Sequence, residues 1–148
     1  MRSWWKLLAI TGAVVLFLLL TVEDWRRDFT ASRAEITRQE RDPTLRPLVS
    51  LRTSEELVVA LEWAARRLGS WSFSGTARDG DDTYVTFVRT HPLLRVEDEI
   101  RMRVRDLGRR RVVLGESRSR WAVGDLGRNR RNLRNLRAEL LDVLQGAE

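Results

Sequence analysis

Ser117 and Ser119 alternate with Arg118 and Arg120 ahead of a Gly124-Asp125 turn, and Asn129 stands just beyond it. Hydroxyls, a carboxylate, an amide and guanidiniums so close in sequence could form a hydrolytic or anion-binding cluster. A serine becomes a nucleophile only beside a base. The sole histidine, His91, precedes Pro92 without a recognisable Ser-His-Asp context and reads as a turn residue. Asp125 could act as an exposed loop carboxylate, but its position favours the N-cap of a following helix. A second group is stronger. Arg101, Arg103 and Arg105 occupy alternate positions of a β-patterned run, so one strand face carries three guanidiniums. With Arg118 and Arg120 they form a candidate surface for anionic lipid or an acidic partner, worth roughly 1 kcal/mol per arginine near an anionic surface.

The carboxylate clusters are weaker candidates. Asp79, Asp81 and Asp82 have a hint of calcium-loop spacing but lack the closing glutamate, and they fit a hairpin tip. Glu97, Asp98 and Glu99 fit as partners of nearby arginines. The chain has no cysteine, which removes disulfides, zinc-thiolate sites and thiol nucleophiles. No phosphate loop, dinucleotide fingerprint or nucleophile elbow occurs, and neither a cofactor nor a metal is expected.

Net charge is +6, unevenly distributed. Residues 23–100 hold 12 basic and 15 acidic groups, and residues 101–148 hold 13 and 6. Every basic residue except Lys6 is arginine, a usage that fits a GC-rich genome more simply than phosphate recognition.

Leu7 to Val22 is free of charge and spans roughly 24 Å as a helix. Trp4 and Trp5 precede it and Trp25 follows, where interfacial rings belong. No small-x-small cleavage site follows. This predicts an uncleaved single-pass anchor over residues 1–25 in the inner membrane, with the N-terminus inside and the domain on the periplasmic side. Nucleic acid is then not an expected partner; the bilayer, a membrane protein and anionic lipid are.

Residues 26–52 read as an extended connector containing the turn-rich DPTLRP at 42–47. Residues 53–148 read as an α+β domain. Thr53-Ser54-Glu55-Glu56 opens a helix with an apolar stripe through Leu57, Leu61, Ala64 and Leu68, with Trp63 towards its edge. Four antiparallel strands follow: one at Trp71, one over Thr83 to Arg89, Glu99 to Arg105 and Arg111 to Arg118. Ile100, Met102 and Val104 face inwards on the third; Val112 and Leu114 share a face of the fourth, where Gly115 could mark a bulge. The last helix, from about Leu126, turns Leu133, Leu136 and Leu140 to the core, with Asn129 on the same side. The predicted architecture is an N-terminal transmembrane helix, then helix, four-stranded antiparallel sheet and helix, both helices covering one sheet face.

DPTLRP at 42–47, the Trp71 strand, LLRVEDEIRMRV at 93–104 and SRSRWAVGDLGRNRRNLRNL at 117–136 together resemble the DUF1499 family, a domain family of unknown function, over roughly Asp24 to Leu144. His91-Pro92 and Trp121 depart from the pattern. The resemblance implies an envelope- or thylakoid-type domain, often membrane-attached, and supplies no catalytic residue. The leading expectation is a non-enzymatic envelope domain that binds a membrane protein complex. The alternatives are a lipid or apolar-ligand binder, with its pocket between sheet and C-terminal helix, and an enzyme that brings Asp125, Ser117 or Ser119 together with arginines in one cleft.

Overall fold

The computed structural model describes residues 2–22, 25–92, 95–120 and 124–146; the side chains of residues 2, 3, 21 and 25–27 are outside the description. Trp121 and the side chain of Trp25 therefore lie outside the described residues. In chain order the elements are α1 (Arg2–Thr21), α2 (Trp25–Thr30), β1 (Arg33–Ile36), β2 (Leu48–Ser50), α3 (Ser54–Arg67), β3 (Trp71–Asp79), β4 (Asp82–Thr90), β5 (Glu97–Asp106), β6 (Arg111–Ser119) and α4 (Arg128–Gln145).

The expected membrane anchor is corrected. Among the described residues no helix is long and apolar enough to cross a membrane. The charge-free run of roughly 24 Å is short against a hydrocarbon core of about 30 Å. The N-terminal flank that continues the helix brings charge with it, since α1 begins at Arg2 and carries Lys6; at the other end α1 stops at Thr21, and Trp25 starts the separate helix α2. Trp4 and Trp5 are exposed on α1.

The four-stranded sheet is also corrected. The sheet has six antiparallel strands in the order β1-β6-β5-β4-β3, with β2 also pairing β6. The additional strands come from the connector. β1 holds four residues and β2 three, too few to show a two-residue alternation. They are extended because the outer edge of β6 offers them a ladder: Ile36 lies opposite Gly115 and Leu48 opposite Val113.

The long elements follow the sequence closely. Thr53 and Glu56 form a reciprocal capping box at the start of α3. Asp79 and Asp82 close the β3–β4 hairpin, with Gly80 at φ 56 supplying the left-handed turn position. The register irregularity lies at Phe73–Gly75; Gly115 is in regular register. Gly115 serves a different need, because a Cβ there would lie 2.5 Å from Met102 Sδ. α3 and α4 pack on one sheet face, where Phe87, Ile100, Met102, Leu57, Leu61, Leu133, Leu136 and Leu140 are fully buried. Leu45, from the connector, is buried among them.

α4 holds the connector through its arginines. Arg134 donates from Nε to Asp42 Oδ2 at 2.8 Å, Arg130 pairs with Glu40 at 3.2 Å, and Arg137 Nε donates to the Arg46 carbonyl at 3.0 Å. Asp42 also accepts from the Thr44 amide and hydroxyl, capping the short turn Pro43–Leu45. Burial raises the Asp42 carboxyl, but the Thr44 hydrogen bonds and Arg134 outweigh it and hold the pKa at about 2, against 3.8 ordinarily. The folded value is the lower one, so Asp42 stabilises the fold above about pH 4 and that contribution disappears as pH falls towards 2. Asp42→Asn is expected to remove on the order of 1–2 kcal/mol at neutral pH and to flatten stability between pH 4 and 2. Urea midpoints of both proteins across that window check it; parallel pH curves would refute the role.

Candidate functional site

Strand parity splits the sequence-predicted site into two clusters on opposite sides of the sheet. On β6, Val113, Gly115, Ser117 and Ser119 face the helices. Val112, Leu114, Glu116 and Arg118 face the other way. Val112 and Leu114 therefore belong to the outer face and not to the core.

The inner cluster centres on Asp98, which lies opposite Ser119 in the β5–β6 register and is almost fully buried. Its carboxylate accepts from Ser119 Oγ at 2.7 Å, from Asn132 Nδ2 at 2.9 Å, and from Arg128 Nε and Nη2 at 2.7 and 2.9 Å. Arg89 donates to the other end of the Asn132 amide. Burial pushes the Arg89 guanidinium below its ordinary value; Asp98 opposes that shift, while Arg128 and Arg131 add to it. Ser117 Oγ donates to Asn129 Oδ1 at 2.5 Å. The Asn129 amide nitrogen donates to Ser119 Oγ at 3.0 Å, to the Ser32 carbonyl at 2.9 Å and to Asp125.

Asp125 is not the helix cap expected. Gly127, with φ 74, occupies that position without a side-chain cap. Asp125 instead accepts from the Gly127 amide at 2.8 Å and from the Asn129 amide at 3.3 Å, satisfying free N–H groups from two residues upstream. The same turn holds the end of α2. Leu126 N donates to the Asp28 carbonyl at 2.9 Å and Asp125 N to the Ala31 carbonyl at 3.2 Å. Gly124 lies so close to Phe29 that a Cβ would approach its carbonyl oxygen to 2.4 Å.

Ser117, Ser119, Asp125 and Arg128 thus converge, as an enzymatic reading requires. Ser117, Asn129 and Asn132 are fully buried, however, and the polar groups are occupied with one another. The arrangement joins β5, β6, α4 and the end of α2, with Ser119 and Arg128 at its part-buried edge. Among the described residues no group of His, Cys, Asp or Glu is placed to hold a metal ion. The space between sheet and α4, where a lipid pocket was the alternative expectation, is filled by Ile100, Met102, Leu133 and Leu136.

The outer face gathers Arg101, Arg103, Arg105 and Arg118, with Arg120 just beyond β6. Most are answered locally. Arg118 pairs with Glu99 at 2.9 Å and Arg120 with Glu97 at 2.6 Å. Arg103 and Arg105 both converge on Asp82, Arg105 at 3.0 Å. Asp82 raises the pKa of Arg103 still further. Arg101 instead lies 4.2 Å above the Tyr84 ring. Around this row runs an open groove of about 580 Å³, walled by Arg101, Arg103, Arg105 and Arg38 and floored by Val112 and Leu114. Tyr84 and Arg38 are functional candidates that the sequence reading missed. The signal for Tyr84 was available, since it lies opposite Arg103 once the β4–β5 hairpin is registered. Arg38 had none, because its place depends on β1. A second groove, of about 560 Å³, runs between α3 and α4 beside the half-exposed Trp63 and Val59.

The two kinds of ion pair predict different costs. Asp98→Ala leaves Arg128 buried without its carboxylate and is expected to cost about 3–5 kcal/mol. Glu99→Gln, which removes an exposed partner of Arg118, is expected to cost about 1 kcal/mol or less. Denaturant titration of both variants checks this, and equal costs would show that the Asp98 cluster does not hold the fold.

Among solved structures, the Ran-binding protein Mog1p of Saccharomyces cerevisiae aligns at 10% identity over 77% of this chain and 75% of that one, with a TM-score of 0.35, too distant to carry an argument. No curated protein matches the chain. The family described as Protein of unknown function (DUF1499) matches residues 24–140. That span takes in the six-stranded sheet, the buried Asp98 cluster and most of α4, and by it the chain belongs to the DUF1499 family.

Proposed function

We propose that the domain is a non-enzymatic binding module that docks an acidic segment of a partner protein on the outer face of its sheet. The groove walled by Arg101, Arg103, Arg105 and Arg38 carries this reading. Asp82 supplies one negative charge to two guanidiniums. Arg101 and Arg38 have no carboxylate partner among the described residues; with Arg33 shared by the lining Glu35 and Glu116, five guanidiniums meet three carboxylates, and the groove keeps a surplus of positive charge. Its floor is apolar, and the part-exposed Leu114 beside the buried Val112 adds some burial to the electrostatic attraction. A non-enzymatic role is supported by the inner cluster, whose hydroxyls and carboxylates are occupied with one another. A membrane protein complex displaying such a segment in an exposed loop fits the same face.

A photo-crosslinking amino acid at Thr86, on the outer face, tests the reading against one at Trp63, in the α3–α4 groove. The expected result is a protein adduct from position 86 that maps to an acidic segment and falls at least tenfold with Arg101→Glu. An adduct formed only from position 63, or one indifferent to Arg101→Glu, would overturn it.

A further inference from the structure

Resting on the acidic-partner reading, we infer that the outer-face groove takes an extended peptide strand whose carboxylates recur at every second residue. Two features of the groove carry this. The first is pitch. Arg101, Arg103 and Arg105 stand on one face of β5, so their backbone positions repeat every two strand residues, roughly 7 Å. An extended chain lying along β5 presents alternate side chains at the same pitch. Its carboxylates keep step with these positions, meeting Arg101 directly and joining Asp82 at the shared Arg103 and Arg105.

The second is width. β6 alone forms the floor. One wall rises from β5 and the other from the end of β1 and the turn that follows it, Thr37 and Arg38. Two strand spacings separate these walls, about 10 Å between backbones and less between side chains. A helix with its side chains is about 10–12 Å across and is too wide to reach Val112 and Leu114. An extended chain is thin enough. A bilayer surface is flat and meets the rims of such a groove rather than its floor.

The arginines are prepared for carboxylates. Tyr84 supports the Arg101 guanidinium from one face and leaves its N–H edge available for a two-point contact. Arg103 lies 5.8 Å from the same ring and is held by Asp82 through Nη2. Glu35 and Glu116 also line the groove and share Arg33, at 2.9 and 2.5 Å, so one negative charge there offsets part of the arginine surplus.

Two peptides of identical composition and charge separate pitch from simple attraction: four Ser-Asp repeats, and four serines followed by four aspartates. Fluorescence anisotropy with the full chain is expected to give at least tenfold tighter binding of the alternating peptide. Arg101→Glu should abolish that preference, while Arg66→Glu, on α3, should leave it intact. Arg101→Lys, which keeps the charge and loses the fork, should reduce it severalfold. Equal affinity for the two peptides, both weakened by Arg101→Glu, would overturn the strand inference and leave the acidic-partner reading standing. Binding of neither peptide would overturn both. Arg101-dependent binding to phosphatidylglycerol vesicles without peptide binding would overturn both and reassign the face to lipid.

Discussion

A carboxylate buried as deeply as Asp98 would be expelled or neutralised if it stood alone, because taking an ion out of water costs several kcal/mol even after the protein relaxes. It stays because donors from two elements converge on it: Ser119 from the end of β6, and Arg128 and Asn132 from the first turns of α4. The reciprocal constraint matters as much. Those donors can reach Asp98 only if α4 begins directly over the β5–β6 ladder. The start of α4 is thus fixed by hydrogen-bond geometry, and the rest of the helix is carried across the sheet by Leu133, Leu136 and Leu140. With α3 beside it, one face is covered and the other is left to solvent. The open arginine groove is a consequence of where Asp98 is satisfied.

The same helix determines what becomes of residues 33–50. Its apolar stripe faces the sheet, and Arg130, Arg134 and Arg137 lie along its flank within reach of Glu40, Asp42 and the Arg46 carbonyl. These contacts hold the connector against the domain, bury Leu45 and allow β1 and β2 to pair with β6. An otherwise exposed strand edge is thereby covered by two short strands. The far wall of the groove, including Arg38, exists only because of this docking. Inner charge pairs and outer binding face are linked through the connector.

The parts legible from sequence are those whose signals are local. Thr53 and Glu56 announce α3 because a capping box is a three-residue pattern, and Ile100, Met102 and Val104 announce β5 because alternation over many residues has one geometric meaning. The Arg101, Arg103 and Arg105 row was legible for the same reason. The parts that escaped depend on pairing. β1 and β2 have no pattern of their own. The facing of Val112 and Leu114 could not be read because Val113 is apolar too, so β6 is apolar on both parities there and only the ladder decides. An aspartate before a helix is ordinarily its cap, but the left-handed Gly127 moves the helix start two residues beyond the one Asp125 predicts. The tryptophans that flank the N-terminal apolar run are adjacent to it in sequence but stand on two helices, Trp4 and Trp5 on α1 and Trp25 on α2.

Ser117-Arg118-Ser119-Arg120 shows how one strand serves both sides. A two-residue period sends Ser117 and Ser119 inwards and Arg118 outwards. Inside, a hydroxyl is the right size: it donates to Asp98 or Asn129 and accepts from Arg128 or the asparagine amides, within the spacing between sheet and helix. A longer polar side chain would push α4 off the sheet. Outside, Arg118 and Arg120 neutralise Glu99 and Glu97, the neighbours in sequence of Asp98. Those pairs leave the start of β5 electrically quiet. Towards Arg105 the balance differs: Asp82 is shared by two arginines, and Arg101 rests on Tyr84 rather than on a carboxylate. The serines and arginines of this motif therefore have separate physical requirements. The serines are constrained by packing volume and hydrogen bonding, whereas the arginines are constrained by charge balance along an open face. Substitutions at the two kinds of position should be felt in different properties, stability for the inner set and binding selectivity for the outer.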